Sequence, residues 1–119
     1  MRDHTKLEVF ELADQVALTV YRETVHFPPQ ERYGLQSQLR RAAVSVASNI
    51  VEGCARHSEA DYVRFLDIAY GSARELQYQL SLCTRLGLMR PDAAKQLTPD
   101  CIRVTKALSG LLRALRVPK

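Results

Sequence analysis

The chain has no tryptophan, and only three cysteines, five glycines and five prolines in 119 residues. Each shortage excludes something. Three cysteines (Cys54, Cys83 and Cys101) are odd in number and far apart, so they imply no disulfide framework. They read as small hydrophobes in a reducing compartment. The five glycines are scattered at Gly34, Gly53, Gly71, Gly87 and Gly110, so no glycine-rich phosphate loop exists. No apolar run approaches the roughly 20 residues that a membrane-spanning helix needs. The first residues, Met1 to Lys6, lack the apolar segment of a signal peptide. The expected location is therefore the cytoplasm, with no membrane contact. What is present is ordinary for a folded protein, 46% apolar and 25% charged residues, which excludes a disordered or collagen-like chain. The length suits one domain over residues 1–119.

Charge is mildly positive, with 17 basic and 13 acidic side chains giving +4, but it is unevenly placed. From Cys101 to Lys119 there are five basic residues (Arg103, Lys106, Arg113, Arg116 and Lys119) and no acid. From Asp3 to Glu23 the balance tips acidic. Opposite fields at the two ends suit either subunit association or a polyanion at the basic end.

Apolar periodicity gives helices and no strand. The first helix is expected over Lys6–Val25, stopped by Pro28 and Pro29, because proline lacks the N–H and pushes its predecessor out of the α region. Its apolar residues, including Val9, Leu12, Val16 and Val20, cover about half the circumference at 100° per residue. That width fits either a well-covered helix or a second buried face in an oligomer. The second helix is expected over Tyr33–Ala55, with Gly53 as its C-terminal cap. Beside its core stripe runs a polar row, Gln38, Arg41, Ser45, Ser48, Asn49 and Glu52, with apolar residues on both flanks. It reads either as a buried or interfacial hydrogen-bond network or as a wet face.

The third helix starts with Ser58 as cap and Asp61 at the capping-box position, and Gly87 ends it after Leu86. Ile68, Leu82 and Leu86 lie off its core stripe and hint at a second contact. Pro91 opens a short turn to Leu97. Thr98-Pro99-Asp100 then reads as the start of a fourth helix to Arg116, with a cap, a first-turn proline and an acid near the positive dipole end. Four helices with short connections predict an all-α, antiparallel, up-and-down four-helix bundle.

Catalytic and metal constellations are poor. The Glu23–His26 pair lacks the second Glu-x-x-His pair of a di-iron bundle, and Cys54–His57 lacks the second pair that four ligands require. Cys54 beside His57 has no apparent third orienting group for nucleophilic catalysis. The expectation is a non-enzyme without cofactor or metal. The best binding candidate is the basic row of the last helix, Arg103, Lys106, Arg113 and Arg116, joined by Arg40 and Arg56, as a patch for phosphates. Aromatic interleaving for base stacking is not evident in this row. A solvated surface that keeps the chain soluble explains the same charges.

The segment from Phe27 to Gly53 carries a long motif: Phe27-Pro28, Glu31, Gly34-Leu35, Gln38, Arg41-Ala42, Ser45, Asn49-Ile50 and Glu52-Gly53. It resembles the bacterial four-helix-bundle family named for 23S rRNA intervening sequences. Arg64-Phe65-Leu66, Ile68-Ala69, Gly71-Ser72 and Glu75-Leu76 fit that family's third helix. Val51, where alanine is common, and Pro99 depart from the pattern without threatening the fold. The resemblance implies a bundle that assembles into rings, homopentamers above all. It also implies kinship with the basic pentameric accessory proteins of diversity-generating retroelements, which bind a reverse transcriptase and nucleic acid. Under this resemblance Gln38, Arg41, Ser45, Asn49 and Glu52 are architectural. Val9, Leu12, Val16, Val20, Ile68 and Leu82 are the expected subunit contacts. The functional expectation is a self-assembling scaffold or adaptor whose partners are itself and RNA or a nucleic-acid-binding protein. The alternative is a purely structural or protein-interaction ring.

Overall fold

The computed structural model describes residues 1–118. Four helices make up the molecule: α1 (Glu8–Thr24), α2 (Leu35–Cys54), α3 (Glu59–Arg85) and α4 (Pro91–Leu115). Single 3-10 turns at His4–Lys6 and Pro29–Glu31 precede α1 and α2. No strand occurs among the described residues. The all-α four-helix expectation holds.

Local chemistry sets most of the boundaries. Ser58 caps α3, its hydroxyl accepting from the Asp61 N–H at 3.1 Å. After Arg85 the chain turns at Gly87, whose φ of +76° lies in the left-handed region that glycine enters without a Cβ penalty. The connections after α2 and α3 span only residues 55–58 and 86–90. Neither is long enough to carry the chain back along a helix, so α2, α3 and α4 alternate in direction. Contacts between Gln38 and Gln79, Ser45 and Ser72, and Gly53 and Phe65 run in opposite senses along α2 and α3. At the other junction, Arg40 of α2 reaches Thr24 at the end of α1, while the Arg2 N–H donates to the Cys54 carbonyl at 2.7 Å.

Each helix packs on two neighbours: α1 on α2 and α4, and α3 on α2 and α4. The diagonals face one another across the core. The middle layer takes two side chains from every helix, Ala13 and Val16, Ala43 and Val46, Ala73 and Leu76, Cys101 and Val104, around a void of about 10 Å³. Such a void is about the smallest that could hold one water. Alanine in three of the four helices lets the backbones close in, so the layer is nearly filled.

Two boundaries differ from the sequence reading. The helix predicted from Thr98 begins instead at Pro91 and runs through Pro99 without a break. Ala93, Leu97, Cys101 and Val104 form one continuous buried stripe, and its packing outweighs the hydrogen bond that Pro99 cannot donate. Pro99 and Lys95 are both exposed, so water can serve the carbonyl left without a partner. Gly53, expected as a cap, lies inside α2, which ends at Cys54. A Cβ there would sit 3.0 Å from the Phe65 Cβ and 3.3 Å from the Tyr62 carbonyl oxygen, so this glycine sets how closely α2 approaches α3.

The wide apolar face of α1 also resolves. Val9, Val16 and Val20 are buried in the chain's own core, which removes them from the surface open to a second subunit. Two neighbouring helices, α2 and α4, consume that width. Leu12 is half-buried against the core, Leu82 is half-buried, and Ile68 is exposed.

Candidate nucleic-acid interface

The six basic residues singled out from the sequence do not form one patch. Arg103 pairs with Asp100 at 3.2 Å, one turn before it in α4. Arg116 donates to Asp67 of α3. Arg56 pairs with Glu52 at 3.0 Å and lies over the Phe65 ring. Arg40 turns toward α1: its Nε donates to Thr24 Oγ1 at 2.8 Å and its Nη2 to the Tyr21 carbonyl at 3.2 Å, with the guanidinium 4.6 Å from the Tyr21 ring centre. Lys106 and Arg113 are exposed and make no hydrogen bond or ion pair among the described residues. The row on α4 thus keeps two unengaged cations, and Arg113 borders a mainly apolar concavity of about 590 Å³ with Tyr70, Leu112 and Val117.

The polar row of α2 divides between seam and solvent. The Ser45 and Ser72 hydroxyls bond at 2.8 Å across the α2–α3 seam, and Asn49 Nδ2 donates to the Ser45 carbonyl at 2.8 Å. Gln79 Nε2 donates to Gln38 Oε1 at 3.4 Å. Gln79 itself is buried, and its Oε1 has no partner. Glu52 and Arg41 are exposed. Glu52 is held by Arg56, whereas Arg41 has no polar partner among the described residues. Gln38, Ser45 and Asn49 therefore serve architecture, and Arg41 does not share in it.

A grouping that the sequence did not announce lies on the opposite flank of α2. Tyr21 from α1, Arg32 and Tyr33 from the connection, and Gln36, Ser37, Arg40 and Arg41 from α2 enclose a concavity of about 420 Å³. Three cations and two phenol rings line it, and no acid does. Glu31, the nearest acid in sequence, is engaged by the Leu35 N–H at 3.0 Å. Tyr33 is 90% exposed. The spacing of Arg32, Tyr33, Arg40 and Arg41 was readable, but their meeting with Tyr21 depends on how α1 ends against α2.

The thiols are all buried. Burial pushes Cys54 up, moves Cys83 up to about 11 and Cys101 up to about 12. A nucleophilic Cys54 would need the opposite shift. No group of three His, Cys, Asp or Glu side chains able to hold a metal occurs among the described residues. None of the described helices is long and apolar enough to cross a membrane.

Comparison with known proteins agrees with this architecture. A crystal structure of a protein of unknown function from the S23 ribosomal protein family of Bacteroides thetaiotaomicron superposes with a TM-score of 0.79 at 24% identity, covering 88% of this chain and 98% of that one. At that identity the likeness speaks for the fold. No curated protein matches the chain. The model of the 23S rRNA-intervening sequence protein family matches residues 5–110, nearly the whole bundle, and the chain belongs to that family.

Proposed function

We propose that the protein is a non-enzymatic, self-assembling scaffold or adaptor, a homopentamer in the cytoplasm, that engages RNA or a nucleoprotein through basic surface. The observation that carries assembly is apolar surface left on the outer faces of α2 and α3. Val44, one turn beyond Arg40 on α2, is 41% exposed, and Ile68, one turn before Ser72 on α3, is 43% exposed. At 100° per residue, Ser48 lies about 40° from Val44 and Gly71 about 60° from Ile68, so a small residue borders each apolar one and admits close approach by a second copy. The RNA part rests on arginines without acidic partners, Arg32 and Arg41, in a chain of net charge +4.

The test is the particle mass by light scattering, with the 260/280 nm absorbance ratio read on protein purified without nuclease. The expected mass is five times 13.5 kDa, with excess 260 nm absorbance from bound nucleic acid. Val44→Glu with Ile68→Glu should lower the mass toward 13.5 kDa without loss of helix content, because neither side chain belongs to the core. A 13.5 kDa wild-type particle overturns assembly. A second reading, a protein-binding ring without nucleic-acid affinity, is favoured by the apolar concavity beside Tyr70 and Leu112. A protein-like absorbance ratio at the pentamer mass would select it.

A further inference from the structure

Resting on the RNA reading above, we propose that the concavity between the end of α1 and the start of α2 binds single-stranded RNA. Phosphates lie among Arg32, Arg40 and Arg41, and a base stacks on Tyr33. This is a different surface from the α4 row to which the sequence pointed.

Four observations converge on it. The first is available charge. Arg32 and Arg41 are exposed and have no polar partner among the described residues. Arg40 is fixed by bonds from Nε and Nη2, which use two of a guanidinium's five N–H donors and leave three for a ligand. A fixed fork with donors to spare suits a phosphate, and its ordering cost is met before binding. The second is shape. A polar hollow of about 420 Å³ falls in the range of about 300–1,000 Å³ that small-molecule sites occupy.

The third is the aromatic platform. Tyr33 is the most exposed large apolar side chain, at 90%, and covers no core. An exposed ring between arginines is what base stacking uses, and it tolerates any base. Tyr21 is already occupied by Arg40, which leaves Tyr33 for the ligand. The fourth is continuity. A second hollow of about 450 Å³, lined by Val25, Phe27, Pro29, Arg32 and Gln36, adjoins the first and shares Arg32 and Gln36 with it. Gln36 is anchored through Nε2 to the Thr24 carbonyl at 2.9 Å, with its own carbonyl oxygen free for a base edge. Two linked hollows bridged by an arginine suit a flexible strand with successive nucleotides. A rigid duplex would present its bases stacked inside and leave Tyr33 unused.

The test is fluorescence anisotropy with a fluorescein-labelled single-stranded uridine 12-mer, an RNA duplex of equal length and tripolyphosphate as competitor. Arg32→Gln with Arg41→Gln should weaken 12-mer binding at least about tenfold and reduce the salt slope by roughly 1.4, from two phosphate contacts. Lys106→Gln with Arg113→Gln removes the same charge from α4 and should change affinity less than about twofold. Tyr33→Ala should cost about fivefold or more at an unchanged salt slope, Tyr33→Phe should retain binding, and the duplex should bind more weakly. Equal losses from the two arginine and lysine pairs, or a larger loss from the α4 pair, overturn this site while leaving RNA binding standing. An unaffected Tyr33→Ala with full displacement by tripolyphosphate overturns the base platform. No binding of the 12-mer by the wild-type protein overturns both the site and the RNA reading.

Discussion

The two flanks of α2 handle polar groups in different ways. Toward α3 the groups are short, and most are satisfied in place. Ser45 meets Ser72, Asn49 folds back on Ser45, and Gly53 leaves room for Phe65. Toward α1 they are long. Arg40 and Gln36 reach across to Thr24 and Tyr21, and they arrive with donors to spare. One flank is closed chemistry that fixes a distance. The other is open chemistry, held rigidly and still able to bind. Polar residues on one helix thus divide into architecture and site by what remains after the intramolecular bonds are made.

That contrast can be broken by mutation. The largest effect is expected from Gly53→Val, which forces a branched side chain against Phe65 and Tyr62 and should cost at least about 1–3 kcal/mol, a fall of several degrees in Tm. Thr24→Val attacks the other flank. Thr24 is fully buried and accepts from Arg40 Nε, so its loss should cost about 1–2 kcal/mol by thermal melting. It should also weaken 12-mer binding, since Arg40 loses its anchor, whereas Gly53→Val should weaken binding only in proportion to unfolding.

Ser45→Ala and Ser72→Ala each should cost about 0.5–1.5 kcal/mol, and the double mutant less than the sum. Strict additivity in that cycle would mean the seam bond contributes nothing. Glu23→Gln, which removes the exposed Arg90 partner at 2.9 Å, should cost below about 1 kcal/mol and vanish in high salt. A larger value would show that the end of α1 is held by charge as well as by Thr24.

Much of this was legible in the sequence. Apolar spacing located all four helices and their core stripes, and Ser58 and Gly87 marked ends that the structure keeps. Pro99 misled because local chemistry favoured a start where tertiary packing demanded continuity. The ion pairs of the α4 row were only half legible. The Asp100–Arg103 pair is visible at i,i+3 spacing, but the Asp67–Arg116 pair joins residues 49 apart and no pattern announces it. The breadth of α1 was real, yet breadth alone cannot say whether a face meets another helix of the same chain or of another copy. The hollow at Arg32, Tyr33, Arg40 and Arg41 was hidden because it exists only once Tyr21 is brought beside them.

The square arrangement of the helices carries a kinetic consequence. Each helix packs on its neighbours in chain order, and among the helix pairs only α1 with α4 joins segments far apart in the chain. Most native contacts therefore close short loops at small entropic cost. Such a topology belongs with the chains that fold in microseconds to milliseconds. The α2–α3 hairpin can form early, because a connection of residues 55–58 brings its partners together. Docking of α4 on α1 must wait for the rest, and mutations on that last interface should speed unfolding more than they slow folding.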